Sequence, residues 1–297
     1  MKVKLKRTSA FRKAKRAAGK QLGLGLSVLV FSVIGVVLLR ISSAATASSL
    51  EPESGAATRP AMSTLDPTAS GGSAMKFYDK APPFIACPTG GNVIQFNGDS
   101  NATGNGGYPR FIDIPNYSEH MVAYPGAAFT MDIKYLNENV VSIGTQLKQY
   151  FDACGIPKIV VIEGSTNDYF YGSTSAQIIQ AVRGINTYLS NKSVKVVWVA
   201  QQPPPKPNGQ ASAWSTAMLT ARNEYNSWLT TTGNVAGTVA DCTIALQDPS
   251  QPGWLNPNFY RIVQLDWFTQ EVDIKHLNDN GYTAFAGCVQ AKIQTIL

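Results

Sequence analysis

The chain has only two histidines, so each candidate for acid–base chemistry can be weighed on its own. His276 follows Asp273 by three residues. That spacing lets the carboxylate meet the imidazole Nδ1 across one turn, which fixes the tautomer and leaves Nε2 to act as a base. A base of this kind needs a hydroxyl to activate, and Ser100 offers one. It closes the run Asn97-Gly98-Asp99-Ser100 just after a short apolar stretch, where a strand end would present it to a substrate. The developing oxyanion needs donors. Asn167, in Gly164-Ser165-Thr166-Asn167-Asp168, has a side-chain amide to give. Gly126, after Pro125, has no Cβ to keep its N–H from a substrate. The chemistry such a set would perform is ester hydrolysis through an acyl-enzyme, with Ser100, Asp273 and His276 expected as catalytic residues and Ser100, Gly126 and Asn167 as the expected oxyanion hole. It requires neither metal nor cofactor. Asp99 reads as a cap of the turn. His120 begins an apolar stretch without a partner nearby in sequence and reads as structural.

These fragments resemble four blocks of the SGNH (GDSL-type) hydrolases. VIQFNGDSNATG is similar to the first block, AYPGAA to the second, VIEGSTND to the third and DIKHLNDNGY to the fifth, and the likeness covers residues 91–297. The resemblance implies a serine esterase with the roles just given. Two positions depart from the pattern. Ser165 stands where the third block usually has glycine, and Asn101 stands where many members have leucine, which should alter the wall beside the nucleophile.

Elements with the right polarity surround these fragments. Residues 92–96 (NVIQF), 120–124 (HMVAY), 158–162 (KIVVI), 194–200 (VKVVWVA) and 234–240 read as strands. KIVVI and VKVVWVA are the continuous apolar runs expected of strands covered on both faces. Residues 138–153, 175–189, 211–229 and 279–296 have helical spacing. Alternation at this spacing predicts an α/β fold, a three-layer α/β/α sandwich with a mainly parallel sheet, and the SGNH resemblance implies that the sheet is flavodoxin-like. Chemistry then belongs outside the carboxyl ends of the strands, where residues 98–101, 125–126 and 164–168 fall. Aromatic residues flank the site in sequence (Tyr169, Phe170 and Tyr171; Trp254, Phe259, Tyr260 and Trp267) and could stack on substrate or cover the core. Gln202-Pro203-Pro204-Pro205-Lys206-Pro207 reads as a stiff loop after a strand.

Of the 25 Lys and Arg, ten lie in residues 1–40, which hold no acid; the remainder carries all 19 Asp and Glu and is mildly acidic. Nucleic acid is therefore not an expected partner. The basic head is followed by an uncharged run from Gln21 to Leu39. Basic flanks stay in the cytoplasm while an apolar run enters the bilayer, so the rest should be exported, either secreted after cleavage near Ala45-Thr46-Ala47 or anchored to the membrane by the apolar segment. Residues 1–47 form this head. Residues 48–90, rich in Ser, Ala, Thr, Gly and Pro, read as a linker. Within it LEPESG and TASGGSAMKF resemble the opening strands of a carbohydrate-binding β-sandwich, though too little of one to close. Four cysteines in an exported chain can pair. Three connectivities are open, Cys87–Cys154 with Cys242–Cys288 being favoured, and the spacings do not suit zinc. The expected substrate is a small acyl ester or an acylated glycan. An acyltransferase, or a non-catalytic binding module, would share the same fold.

Overall fold

The computed structural model describes residues 61–65, 73–77, 87–88, 90–104, 106–135, 138–206, 214–264 and 270–297. Five strands form the central sheet: β1 (Val93–Asn97), β2 (Ser118–Met121), β3 (Ile159–Ile162), β4 (Lys195–Val199) and β5 (Thr238–Ala240). Their order is β2-β1-β3-β4-β5, and every neighbouring pair is parallel. This is the flavodoxin-like doubly wound order, with its switch point between β1 and β3.

Helices cover both faces, as the sandwich reading expects. α1 (Ile143–Cys154), α3 (Ser175–Ser190) and α4 (Thr216–Thr230) bury Ile143, Leu147, Ile178, Val182, Tyr225 and Leu229 against Val160, Ile162, Val196 and Trp198. α5 (Asp279–Gln294) buries Tyr282, Phe285, Val289 and Ile293 on the opposite face, against Ile94, Phe96, Val161 and Val197. Successive strand residues point to opposite faces, so a four-residue strand such as β3 is buried throughout and feeds both cores. Burying each such large side chain contributes about 1.5–3 kcal/mol. A reciprocal capping box starts α3, with Thr174 and Gln177 each accepting the other's backbone N–H. Asn278 starts α5 by accepting the N–H of Gly281.

Some boundaries differ from the sequence reading. The helix expected from residue 138 begins at Ile143. Glu138–Val140 instead pairs in antiparallel fashion with Ile133–Tyr135, and the Ser142 N–H is held by Asp132 Oδ1 at 2.7 Å. The second strand starts at Ser118, whose N–H bonds to Asn92 O, and ends at Met121. The Asp273–His276 segment, expected between the last strand and the last helix, lies within a strand. β6 (Tyr260–Gln264) and β7 (Gln270–Leu277) form an antiparallel hairpin in which Tyr260 pairs with Leu277 and Ile262 with Val272. One residue on β6 thus opposes the four residues Asp273–His276, which bulge out of the ladder.

Within residues 48–90, Ala61–Leu65 pairs with Ser73–Phe77 as an antiparallel hairpin that lies alongside α1. Disulfides join Cys87 to Cys154 and Cys242 to Cys288. The second ties α5 to the segment after β5. The basic head, the apolar run at residues 21–39 and the cleavage motif lie outside the described residues. Among the described residues no helix is long and apolar enough to cross a membrane.

Candidate active site

β1 delivers Ser100. The strand ends at Asn97, and Gly98-Asp99 turns the chain into a short 3-10 segment, Ser100–Ala102. Gly98 is required by close approach: a Cβ there would lie 2.6 Å from Glu163 O and 2.8 Å from the Ala102 Cβ. Asp99 caps the turn, as expected. Its Oδ1 accepts the Asn101 N–H at 2.9 Å and the Asn101 side-chain amide at 3.2 Å.

β7 delivers the other two groups. In the bulge, Asp273 Oδ1 accepts the N–H groups of Lys275 and His276 at 3.0 and 3.1 Å, and Oδ2 meets His276 Nδ1 at 2.8 Å. His276 Nε2 lies 2.7 Å from Ser100 Oγ. A carboxylate can only accept, so Nδ1 carries the proton. In the neutral ring Nε2 is then the acceptor, and the Ser100 hydroxyl donates to it. Burial pushes the Asp273 carboxyl up, but the His276 ring and the two bulge N–H groups outweigh burial and hold it below its ordinary range. Arg261 stands 3.8 Å from Asp273 Oδ2, half exposed and too distant for a hydrogen bond.

The bulge is braced from outside. Trp214 Nε1 donates to Ile274 O and Gln202 Nε2 to Lys275 O, each at 2.9 Å. Arg222 in turn donates to the carbonyls of Gln201 and Gln202. Burial pulls its guanidinium down to about 10. The proline loop is therefore a buried brace for the histidine segment. Lys275 Nζ lies 4.2 Å from the centre of the Phe170 ring, and Phe170 packs edge-on against Trp214.

The candidate oxyanion donors follow β2 and β3. Gly126 occupies the left-handed region at φ 84°, a conformation open to glycine at little cost. Asn167, in the short helix α2 (Thr166–Phe170), donates its amide to Ala127 O at 3.0 Å. The neighbouring Asp168 is buried and accepts the N–H groups of Phe129 and Thr130 and the Thr130 hydroxyl. Burial pushes its carboxyl up to about 6 despite those donors. The chain after Gly126 is thus fastened to the segment that carries Asn167.

Asn101 does not form a wall beside the nucleophile, contrary to the sequence reading. It is fully buried, and its Oδ1 accepts the Tyr282 hydroxyl of α5 at 2.9 Å. Tyr169 belongs to the core, Tyr171 is exposed, and Trp267 lies outside the described residues. His120 packs its ring 5.2 Å from that of Tyr150, a structural role. Sequence reasoning gave no bracing role to Gln202, Trp214, Arg222 or Tyr282, whose hydrogen bonds hold the histidine bulge and the turn after Ser100. A cleft of about 560 Å³, lined by Gly106, Arg110, Arg261, Leu277, Asn278 and Tyr282 among others, opens beside the histidine segment. Among the described residues no cluster of His, Cys, Asp and Glu could hold a metal ion.

No protein-family model matches the chain, and no curated protein matches it in sequence. Solved structures match it in fold. One, assigned as an acylhydrolase from Bacteroides fragilis, superposes with a TM-score of 0.50 at 16% identity, covering 71% of this chain and 90% of its own. A carbohydrate acetylesterase family member from Sinorhizobium meliloti gives 0.50 at 12% identity, over 69% and 99%. A protein assigned as an arylesterase from Agrobacterium tumefaciens gives 0.50 at 15%, over 69% and 100%. The fold is that of the SGNH-type hydrolases.

Proposed function

We propose that this chain, built on the SGNH-type hydrolase fold, is an exported serine esterase that removes short acyl groups from a glycan. The observation that carries the reading is the continuous hydrogen-bonded line Asp273 Oδ2, His276 Nδ1, His276 Nε2, Ser100 Oγ, with contacts of 2.8 and 2.7 Å. Ser100 attacks the ester carbonyl as His276 takes its proton. Asp273 orients the imidazole and stabilises the imidazolium. The N–H groups of Ser100 and Gly126 and the Asn167 amide receive the oxyanion. His276 then protonates the leaving alcohol, and water, activated by the same imidazole, releases the acid.

The glycan assignment rests on chemistry beside the triad. The cleft that opens after the histidine segment carries Arg110, Arg261, Asn278 and Asn280 beside Ile262, Leu277 and Tyr282, and its charged and amide groups suit sugar hydroxyls. The likeness to a carbohydrate acetylesterase family member is in keeping with this. Export is supported by the basic head and apolar run of the sequence and by the two disulfides. The test is acetate release from acetylated xylan or acetylated cell-wall glycan, set beside hydrolysis of p-nitrophenyl esters of increasing chain length. The expected result is acetate release, with turnover falling as the acyl chain lengthens. Preference for long chains overturns the glycan assignment.

A further inference from the structure

Two carboxyl groups beside the nucleophile turn have no part in the triad. Asp99 precedes Ser100, and Glu163 follows β3; they are 0% and 1% exposed. No donor lies within hydrogen-bonding distance of Asp99 Oδ2 or of either Glu163 oxygen among the described residues, and the two carboxyls face each other. Glu163 also sits hard against the turn: a Cβ on Gly98 would be 3.0 Å from Glu163 Oε2 as well as 2.6 Å from its carbonyl. Two buried carboxylates in such contact would repel, with nothing to satisfy the oxygens between them. A single hydrogen placed between them satisfies one oxygen of each.

The surroundings say which carboxyl holds that hydrogen. Burial raises both carboxyls, but Asp99 is the one served as an anion, its Oδ1 accepting the N–H and amide of Asn101, with the Lys275 ammonium of β7 on its side. The charge acting on Glu163 is that of Asp99. The other titratable groups around the pair are Tyr108, Tyr225 of α4, Tyr282 of α5 and Asp168 of α2. We propose that Asp99 and Glu163 share one proton, carried by Glu163 and donated to Asp99 Oδ2, and that this bond positions the turn presenting Ser100. Glu163 is thus a positioning residue. Burial, and after it the Asp99 charge, push its carboxyl well above the ordinary range, so the shared proton persists into the pH range where a free glutamate is ionised.

The experiment measures the Tm of the full chain and of Glu163→Gln from pH 5 to pH 9. The amide can donate to Asp99 in place of the acid but cannot titrate. The native wild type holds a proton that its unfolded chain has lost, so its stability falls as pH rises through this range. The Tm of Glu163→Gln is expected to rise relative to wild type by roughly 3–5 °C per pH unit until Glu163 ionises. Parallel Tm curves overturn the proposal. The second readout rests on the esterase reading. Glu163→Gln should keep ester turnover within about threefold of wild type, whereas Glu163→Leu, which cannot donate, should lose about 10²-fold through a misplaced nucleophile. Equal loss in both variants overturns the positioning role. The Tm comparison needs no turnover. An inactive wild type with the diverging curves therefore sinks the esterase reading and leaves the shared proton, while an active one with parallel curves does the opposite.

Discussion

Asn167 donates its side-chain amide to the carbonyl oxygen of Ala127, 3.0 Å away. One of its two amide hydrogens is thereby used to hold the residue after Gly126; in the proposed mechanism the other meets the oxyanion. The two candidate oxyanion donors, which come from different strands, are fixed to each other before any substrate arrives. Such preorganisation makes a donor effective, because no reorganisation is needed as charge develops.

Asn167→Ala removes both hydrogens. Turnover is expected to fall about 10²–10³-fold. Asn167→Asp keeps the shape but sets a carboxylate oxygen against Ala127 O, and should lose at least as much. Steady-state kinetics on a p-nitrophenyl acetate series check both. Unchanged kcat in either variant removes Asn167 from the oxyanion site.

Asp273 serves structure and chemistry together, since its Oδ1 closes the bulge and its Oδ2 orients His276. Asp273→Asn preserves the first and reverses the second, by offering N–H to Nδ1. A loss of about 10⁴ in kcat is expected from the wrong tautomer. The carboxyl lies below its ordinary range in the folded protein, so the stability it contributes is present above its unfolded value of about 3.9 and is lost as pH falls through the folded value. The Tm advantage of wild type over Asp273→Asn should hold at pH 5–6 and close on acidification below about pH 4. A difference independent of pH would show that the carboxylate charge does not matter to the fold.

Tyr282→Phe leaves Asn101 Oδ1 buried without its donor. Stability should drop by about 1–3 kcal/mol, read as a lower midpoint in urea at unchanged slope. Because Asn101 also donates to Asp99, ester turnover should fall with it.

Ser165 is one of two described non-glycine residues at positive φ, at 89°. The strand-to-helix turn after β3 demands the left-handed region, and the serine is retained with a hydrogen bond from its hydroxyl to Gln201 Oε1 at 3.0 Å. Ser165→Ala keeps the strained backbone and loses the bond. Ser165→Gly loses the bond and relieves the strain. The glycine variant should therefore be the more stable of the two by about 1 kcal/mol, measured by chemical denaturation. The reverse order would mean that the turn tolerates a Cβ without strain.

What could be read from the sequence was what short-range spacing encodes. Ser100 after Gly-Asp, and His276 three residues after Asp273, point to the carboxylate–imidazole–hydroxyl line that the three side chains form. Continuous apolar runs such as residues 159–162 announce covered parallel strands. What escaped depends on partners far along the chain. Tyr282 reaches Asn101 across 181 residues, so Asn101 was read as part of a wall. Trp214 and Gln202 hold the histidine bulge by its carbonyls, and a carbonyl leaves no side-chain signature. Glu163 ends an apolar strand and looks like its solvent end, whereas the crossing of Gly98 buries it. α1 starts five residues later than the helical spacing suggests, because Val140 and Val141 continue an apolar pattern while the chain is still extended.

Covalent labelling asks directly whether Ser100 is a nucleophile activated by His276. A fluorophosphonate should react covalently, and mass spectrometry after digestion should place one adduct on Ser100. Labelling should be lost in Ser100→Ala and slowed at least about 10³-fold in His276→Ala. An adduct on another serine, or a rate unaffected by loss of His276, would contradict the account.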